Sequence, residues 1–266
     1  MPPKRSAAAP KNANCTSKKS KPTPTVEYHE DYQDPKADVV LVSSDEVYFK
    51  VHSYILKTAS VVFEDMLVIG DGNNEEIALT DPDFEDSQTV HSFLLVFQGK
   101  AIPELTKAND NLYLNLIHFA TKYRIVSVMR QIVALTLKAL MDGTVSPFTA
   151  SRLAFTVGSP QLAAAAIANC GAWHHSLLQP KADQSDEDRA KERDRCFTAG
   201  NVIGSSCLDP NSMSENKLNS IPEPYRWALM RATYGQIQEL HLASTNWGQI
   251  SRNFLQVIKL SQSYKE

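Results

Sequence analysis

The chain is short of most of what catalysis, metal capture and membrane insertion require. Its 266 residues hold four cysteines, Cys15, Cys170, Cys196 and Cys207, at spacings that form neither a disulfide framework nor a Cys-x₂-Cys knuckle. No uninterrupted apolar run reaches the roughly 18 residues of a membrane span; the best stretch, Ile125–Met141, is broken by Arg130, Gln131 and Lys138. The start lacks the apolar core of a secretory signal, which predicts a protein of a reducing intracellular compartment. Gly70-Asp-Gly72 has no following Lys-Ser/Thr, so no phosphate loop is expected. A net charge of −3 implies neither a nucleic-acid-binding surface nor a disordered acidic chain. No internal repeat of solenoid type is present.

Charge is nevertheless uneven. Residues 1–25 contain Lys4, Arg5, Lys11, Lys18, Lys19 and Lys21 and no acid. Rich in Pro, Ala and Ser, this segment buries too little to offset its ordering entropy and is expected to be a disordered basic tail. Lys4-Arg5 and Lys18-Lys19-Ser20-Lys21 have the spacing of a bipartite nuclear import signal, in which two basic clusters lie along an extended acidic groove. Residues 26–35 turn acidic and aromatic and are read as a linker.

From residue 36 the pattern becomes that of a compact α+β domain ending at 141. Asp38–Val42 is a β-branched run suited to a buried strand, Ser43–Glu46 has turn chemistry, and Val47–Val51 alternates; together they predict a hairpin. Tyr54, Ile55 and Leu56 mark one short helix. Ser60 is the expected N-cap of a second, which holds Val62, Phe63 and Met66. Gly70–Asn74 breaks the chain, and Ile77–Leu79 reads as an edge strand. Helical spacing returns in Val90, Phe93, Leu94 and Phe97 up to Gly99. It continues in Leu112, Tyr113, Leu116, Ile117, Ala120 and Tyr123, and again in Val128, Met129, Ile132, Leu135 and Ala139, before Asp142-Gly143.

Residues 142–266 read as all-helical. Ser151–Cys170 predicts one helix or two, divided near Gly158-Ser-Pro160. Residues 180–222 form an irregular stretch with mixed charge between Asp183 and Arg195. Trp227, Met230, Ile237 and Leu240, then Trp247, Ile250, Phe254 and Val257, mark two helices expected to pack through these stripes.

The Asp-led strand at Asp38, the strand ending in His52, Ile55-Leu56 at a helix start and Ser60-x-x-Phe63-x-x-Met66 resemble the signature of the BTB/POZ family. The closing helix pair around Ala120–Ile125 is similar to that family's last helices, and the C-terminal half looks like the helical tail of short fungal BTB proteins. The resemblance implies a protein-interaction module that often homodimerises, sometimes links to cullin-3 ubiquitin ligases and sometimes recruits corepressors. Ser53 stands where many DNA-binding members place a base, and Leu67–Glu76 lacks the hydrophobic-x-Glu motif of cullin binders.

No catalytic, cofactor or metal site is expected. His52 and Asp38 read as structural, since no activated nucleophile accompanies them. Val39–Val42, Tyr54, Ile55, Tyr113 and Leu116 are expected to hold the fold. Cys170, His174, His175, Cys196 and Cys207 offer zinc-type donors without zinc-type spacing, and would support only a zinc-dependent nucleic-acid binder as a third reading. The leading expectation is a homodimeric interaction scaffold in the nucleus, with the cytoplasm as second compartment. It would bind proteins, neither membrane nor nucleic acid directly, and the alternative is a substrate adaptor of a cullin-3 ligase.

Overall fold

The computed structural model describes residues 27–69, 75–170, 208–210, 213, 215–234 and 245–263. The sheet is mixed and has four strands, β1 (Glu27–Tyr28), β2 (Val39–Val42), β3 (Val47–Val51) and β4 (Glu75–Ala78), in the order β1-β3-β2-β4. β2 and β3 form the expected antiparallel hairpin, with Leu41 opposite Phe49. Its turn is closed by Ser43, whose Oγ donates to the Val47 carbonyl and accepts from the Val47 N–H, both at 3.1 Å. Glu46 takes a left-handed φ of 63° there. β4 joins the far side of β2 in parallel and is an edge strand, as its length predicts.

From residue 27 on, the segment read as a linker lies against the sheet. Glu27 and Tyr28 pair in parallel with Val47 and Tyr48, the Tyr32 carbonyl accepts from the Lys50 N–H at 3.0 Å, and Tyr32 itself is buried. One aromatic anchor is enough to draw an otherwise acidic, polar segment onto the sheet.

Among the described residues five helices complete this block: α1 (Ser53–Ala59), α2 (Val61–Ile69), α3 (Ser87–Phe97), α4 (Asp110–Lys122) and α5 (Val126–Met141). Asp86 caps α3 by accepting from the Thr89 N–H at 2.7 Å. The α4 stripe read from the sequence, Leu112 to Tyr123, is buried throughout. Phe63, Phe93, Phe119 and Tyr123 interlock beneath the sheet, with the Phe63 and Tyr123 rings stacked at 4.4 Å and 7°. The segment 70–74 lies outside the described residues.

Beyond Gly143 the described residues are helical: α6 (Pro147–Val157), α7 (Pro160–Ala168), α8 (Glu215–Asn219), α9 (Glu223–Thr233) and α10 (Trp247–Ser263). Of the two alternatives for Ser151–Cys170 the divided one is found. Gly158 ends α6 in the left-handed region (φ 71°), and Ser159 caps α7. α8 lies within the stretch expected to be irregular; residues 180–207 of that stretch lie outside the described residues. α6 packs on α4 and α5, and α10 on α7 and α9, so one continuous core runs from the sheet to the last helix. Ser251 on α10 donates to the Ala164 carbonyl at 2.7 Å, and Arg152 on α6 reaches Asp110 at the start of α4 at 2.8 Å.

Of the stripe expected here, Ile237 and Leu240 lie outside the described residues, and the described part is displaced by one position. Ala228, Leu229 and Ala232 face the core, while Trp227 and Met230 stand about half exposed. The large side chains suggested the periodicity, but close approach of α10 selects the small ones. On α10 the expected Trp247, Ile250 and Phe254 are buried; Ile258 completes the face, with Val257 partly buried.

Candidate protein-interaction surface

Two aspartates fix the helices that frame the sheet. Asp38, one residue before β2, accepts from the Ser53 N–H at 2.7 Å and the Ser53 hydroxyl at 2.6 Å. Asp45, in the hairpin turn, accepts the same pair from Ser87 at 2.8 and 2.6 Å. Each serine is the first residue of its helix, so each carboxylate takes an otherwise orphaned N–H at a helix N-terminus. The Ser53 hydroxyl bond holds the Asp38 carboxyl below the usual range, against a smaller opposing effect of burial. For Asp45 burial raises the value most, and hydrogen bonds from Ser43 and Ser87 outweigh it to leave the value low. Both oxygens of Asp38 are therefore engaged by Ser53, the residue that stands in place of a base.

His52 lies at the entrance to α1, stacked on Tyr54 at 5.6 Å, with its Nε2 3.2 Å from Asp34 Oδ2. The backbone N–H of Lys36 and the His52 ring hold the Asp34 carboxyl low. Leu56 and Phe63 are fully buried and Ile55 partly. Ser60 accepts from the N–H groups of Val62 and Phe63 at 3.1 and 3.2 Å, the N-cap role expected of it, and donates to the Tyr123 carbonyl across the core.

Tyr54, expected to hold the fold, stands outside the core, and the signature residue Met66 lies at its margin. Met66 is 42% exposed and Tyr54 65% exposed. On α2 the buried pair is Phe63 and Leu67, four residues apart, which turns Met66 to the flank. The opposite face of α2 presents Val61, Val68 and Ile69, at 54%, 71% and 84% exposure. The outer side of α2 is therefore mixed: these three apolar side chains surround the exposed Asp65, with Glu64 on the flank. A second set, Trp227, Met230 and Tyr234, is exposed on and just after α9, with Arg231 lying 5.6 Å over the Trp227 ring.

A buried carboxylate escaped the sequence reading. Glu85 is fully buried, and its Oε1 accepts from Tyr123 Oη at 2.7 Å and pairs with Lys122 Nζ at 2.6 Å. Its Oε2 accepts from the Asp81 N–H at 2.7 Å. Burial, and then the Glu85 bond, push the Tyr123 hydroxyl far above its ordinary range.

Also unforeseen is the meeting of His29, Asp31 and His91 where the lead-in crosses α3. The imidazoles lie 4.4 Å apart beside Phe49 and Tyr32. Burial and the neighbouring His29 push His91 toward its neutral form. A cavity of about 190 Å³ opens alongside, lined in part by Asp31, Tyr32, Lys50 and His52. Of the C-terminal zinc-type donors, Cys170 is buried with its thiol directed to the Ala166 carbonyl at 3.5 Å. His174, His175, Cys196 and Cys207, like Lys4, Arg5, Lys18, Lys19 and Lys21, lie outside the described residues.

No described helix is long and apolar enough to cross a membrane. Residues 31–139 match the family model of the BTB/POZ domain. No curated protein matches the chain.

Proposed function

We propose, from the premise that residues 31–139 are a BTB/POZ domain, that this chain is a homodimeric scaffold that brings proteins together in the nucleus. A BTB/POZ domain is generally an interaction module rather than an enzyme, and it supports protein partners and oligomerisation. The observation that carries the dimer is the cluster of exposed apolar side chains around Asp65 on the outer side of α2. Large apolar side chains clustered on a protein surface mark a place that a partner covers. Val61, Val68 and Ile69, flanked by Met66 and by Tyr54 on α1, make a surface whose simplest cover is the same surface of a second copy. A two-fold axis through α2 pairs like with like and closes the assembly. The basic clusters Lys4-Arg5 and Lys18-Lys19-Lys21 support nuclear import.

The test is the substitution Val68→Glu, which places a charge on the outer face without touching Phe63 or Leu67. A dimer that becomes a monomer with unchanged helicity supports the reading; a dimer that persists overturns it. The second reading, a cullin-3 ligase adaptor, is favoured by the Trp227, Met230 and Tyr234 surface, which is a separate place for a substrate. Calorimetric titration with the N-terminal domain of the cognate cullin-3 decides it. A micromolar or tighter equimolar complex, about −8 kcal/mol or better, establishes the adaptor; absence of heat from folded protein removes it.

A further inference from the structure

The donors at the crossing of the lead-in and α3 come from distant parts of the chain. One ring nitrogen of His29, one of His91 and a carboxylate oxygen of Asp31 all lie within 4.8 Å of one another. In a tetrahedral zinc site, bonds of 2.0–2.2 Å put neighbouring donor atoms about 3.3–3.5 Å apart. The Asp31 Oδ2 to His91 Nε2 distance is already 3.5 Å. Closing the third donor asks for a shift of little more than about 1 Å, well within reach of an imidazole beside an exposed aspartate.

Asp31 and His91 stand at ion-pair distance without a hydrogen bond between them. His91 Nε2 is buried and forms no hydrogen bond among the described residues, although a carboxylate stands beside it. A buried polar nitrogen without a partner carries a desolvation cost, which a bound cation relieves by taking its lone pair. Asp31 supplies the negative charge that a divalent ion needs, and the surrounding rings of Phe49 and Tyr32 exclude water from one side.

We propose that His29, Asp31 and His91 form a site for a divalent transition-metal ion of the zinc class, bound by one nitrogen from each histidine and one oxygen from Asp31. Imidazole and carboxylate donors suit zinc and its neighbours rather than calcium or magnesium. Three protein donors leave a fourth position for water. The ion ties the lead-in, which meets the sheet through the two-residue strand β1 and the segment up to Tyr32, to the middle of α3. It thus cross-links the N-terminal edge of the domain, and occupancy raises the stability of that edge by mass action.

The test is calorimetric titration of the chelator-treated full chain with Zn²⁺, alongside His91→Gln and Asp31→Asn. The expected result is one ion per chain, bound below about 100 µM and weakened at least tenfold by either substitution. Asp31 is exposed, so Asp31→Asn keeps the comparison open if His91→Gln impairs folding. Co²⁺ in place of Zn²⁺ gives a tetrahedral visible spectrum without thiolate charge-transfer bands. Failure to saturate, less than tenfold weakening by both variants, or a thiolate signature overturns the proposal. The last would move the ion to the Cys170–Cys207 region.

Discussion

Replacing Glu85 with alanine should be among the most damaging single changes in the domain. The side chain is fully buried and serves Tyr123 Oη, the Asp81 N–H and Lys122 Nζ at 2.6–2.7 Å. Alanine leaves the tyrosine hydroxyl and the Asp81 N–H without an acceptor, each costing about 1–3 kcal/mol. Lys122 is 42% exposed and can turn to solvent, so its share is small. The total is about 3–5 kcal/mol, in line with removal of one partner from a buried pair. Glu85→Gln keeps the shape and one acceptor and should cost about 1–3 kcal/mol. Tyr123→Phe removes one bond and should cost about 1 kcal/mol. Urea unfolding of the three variants, followed by far-UV circular dichroism, gives the order directly. A Glu85→Ala variant within about 1 kcal/mol of the parent would show that the network contributes nothing net and refute this reasoning.

Leu229→Ala should destabilise the chain by about 2–5 kcal/mol while Trp227→Ala, at a half-exposed position, changes it by less than about 0.5 kcal/mol; urea midpoints report both. Asp38 and Asp45 have folded-state values below their unfolded ones, so their contribution is present at neutral pH and is lost as pH falls below about 4. In Asp38→Asn/Asp45→Asn the neutral-pH stability should drop and the acid-side decline flatten, as unfolding midpoints between pH 2 and 7 would show. A fluorescent fusion carrying Lys18→Ala, Lys19→Ala and Lys21→Ala should lose nuclear accumulation; unchanged imaging would remove the import reading.

Local pattern made the hairpin and helices α3 to α5 legible, because large apolar residues at period two or three-to-four are also the ones that face the core. Where that coincidence fails, the reading failed. On α9 the bulky Trp227 and Met230 face out and Ala228 and Ala232 face in. On α2 apolar residues flank Glu64 and Asp65 on every side, so the pattern alone does not tell which side is core. The lead-in was misjudged because its single anchor, Tyr32, stands among acids. Glu85 and the His29, Asp31 and His91 cluster could not be read at all. Tyr123 and Lys122 lie more than thirty residues from Glu85, and His91 more than fifty from His29 and Asp31, so no spacing rule links them.

The central claim, self-association through the outer face of α2, is tested most directly by sedimentation equilibrium of the full chain across micromolar concentrations. The account predicts a single species of twice the 29.6 kDa chain mass that Val68→Glu converts to monomer. A wild-type chain that sediments as a monomer throughout would contradict it.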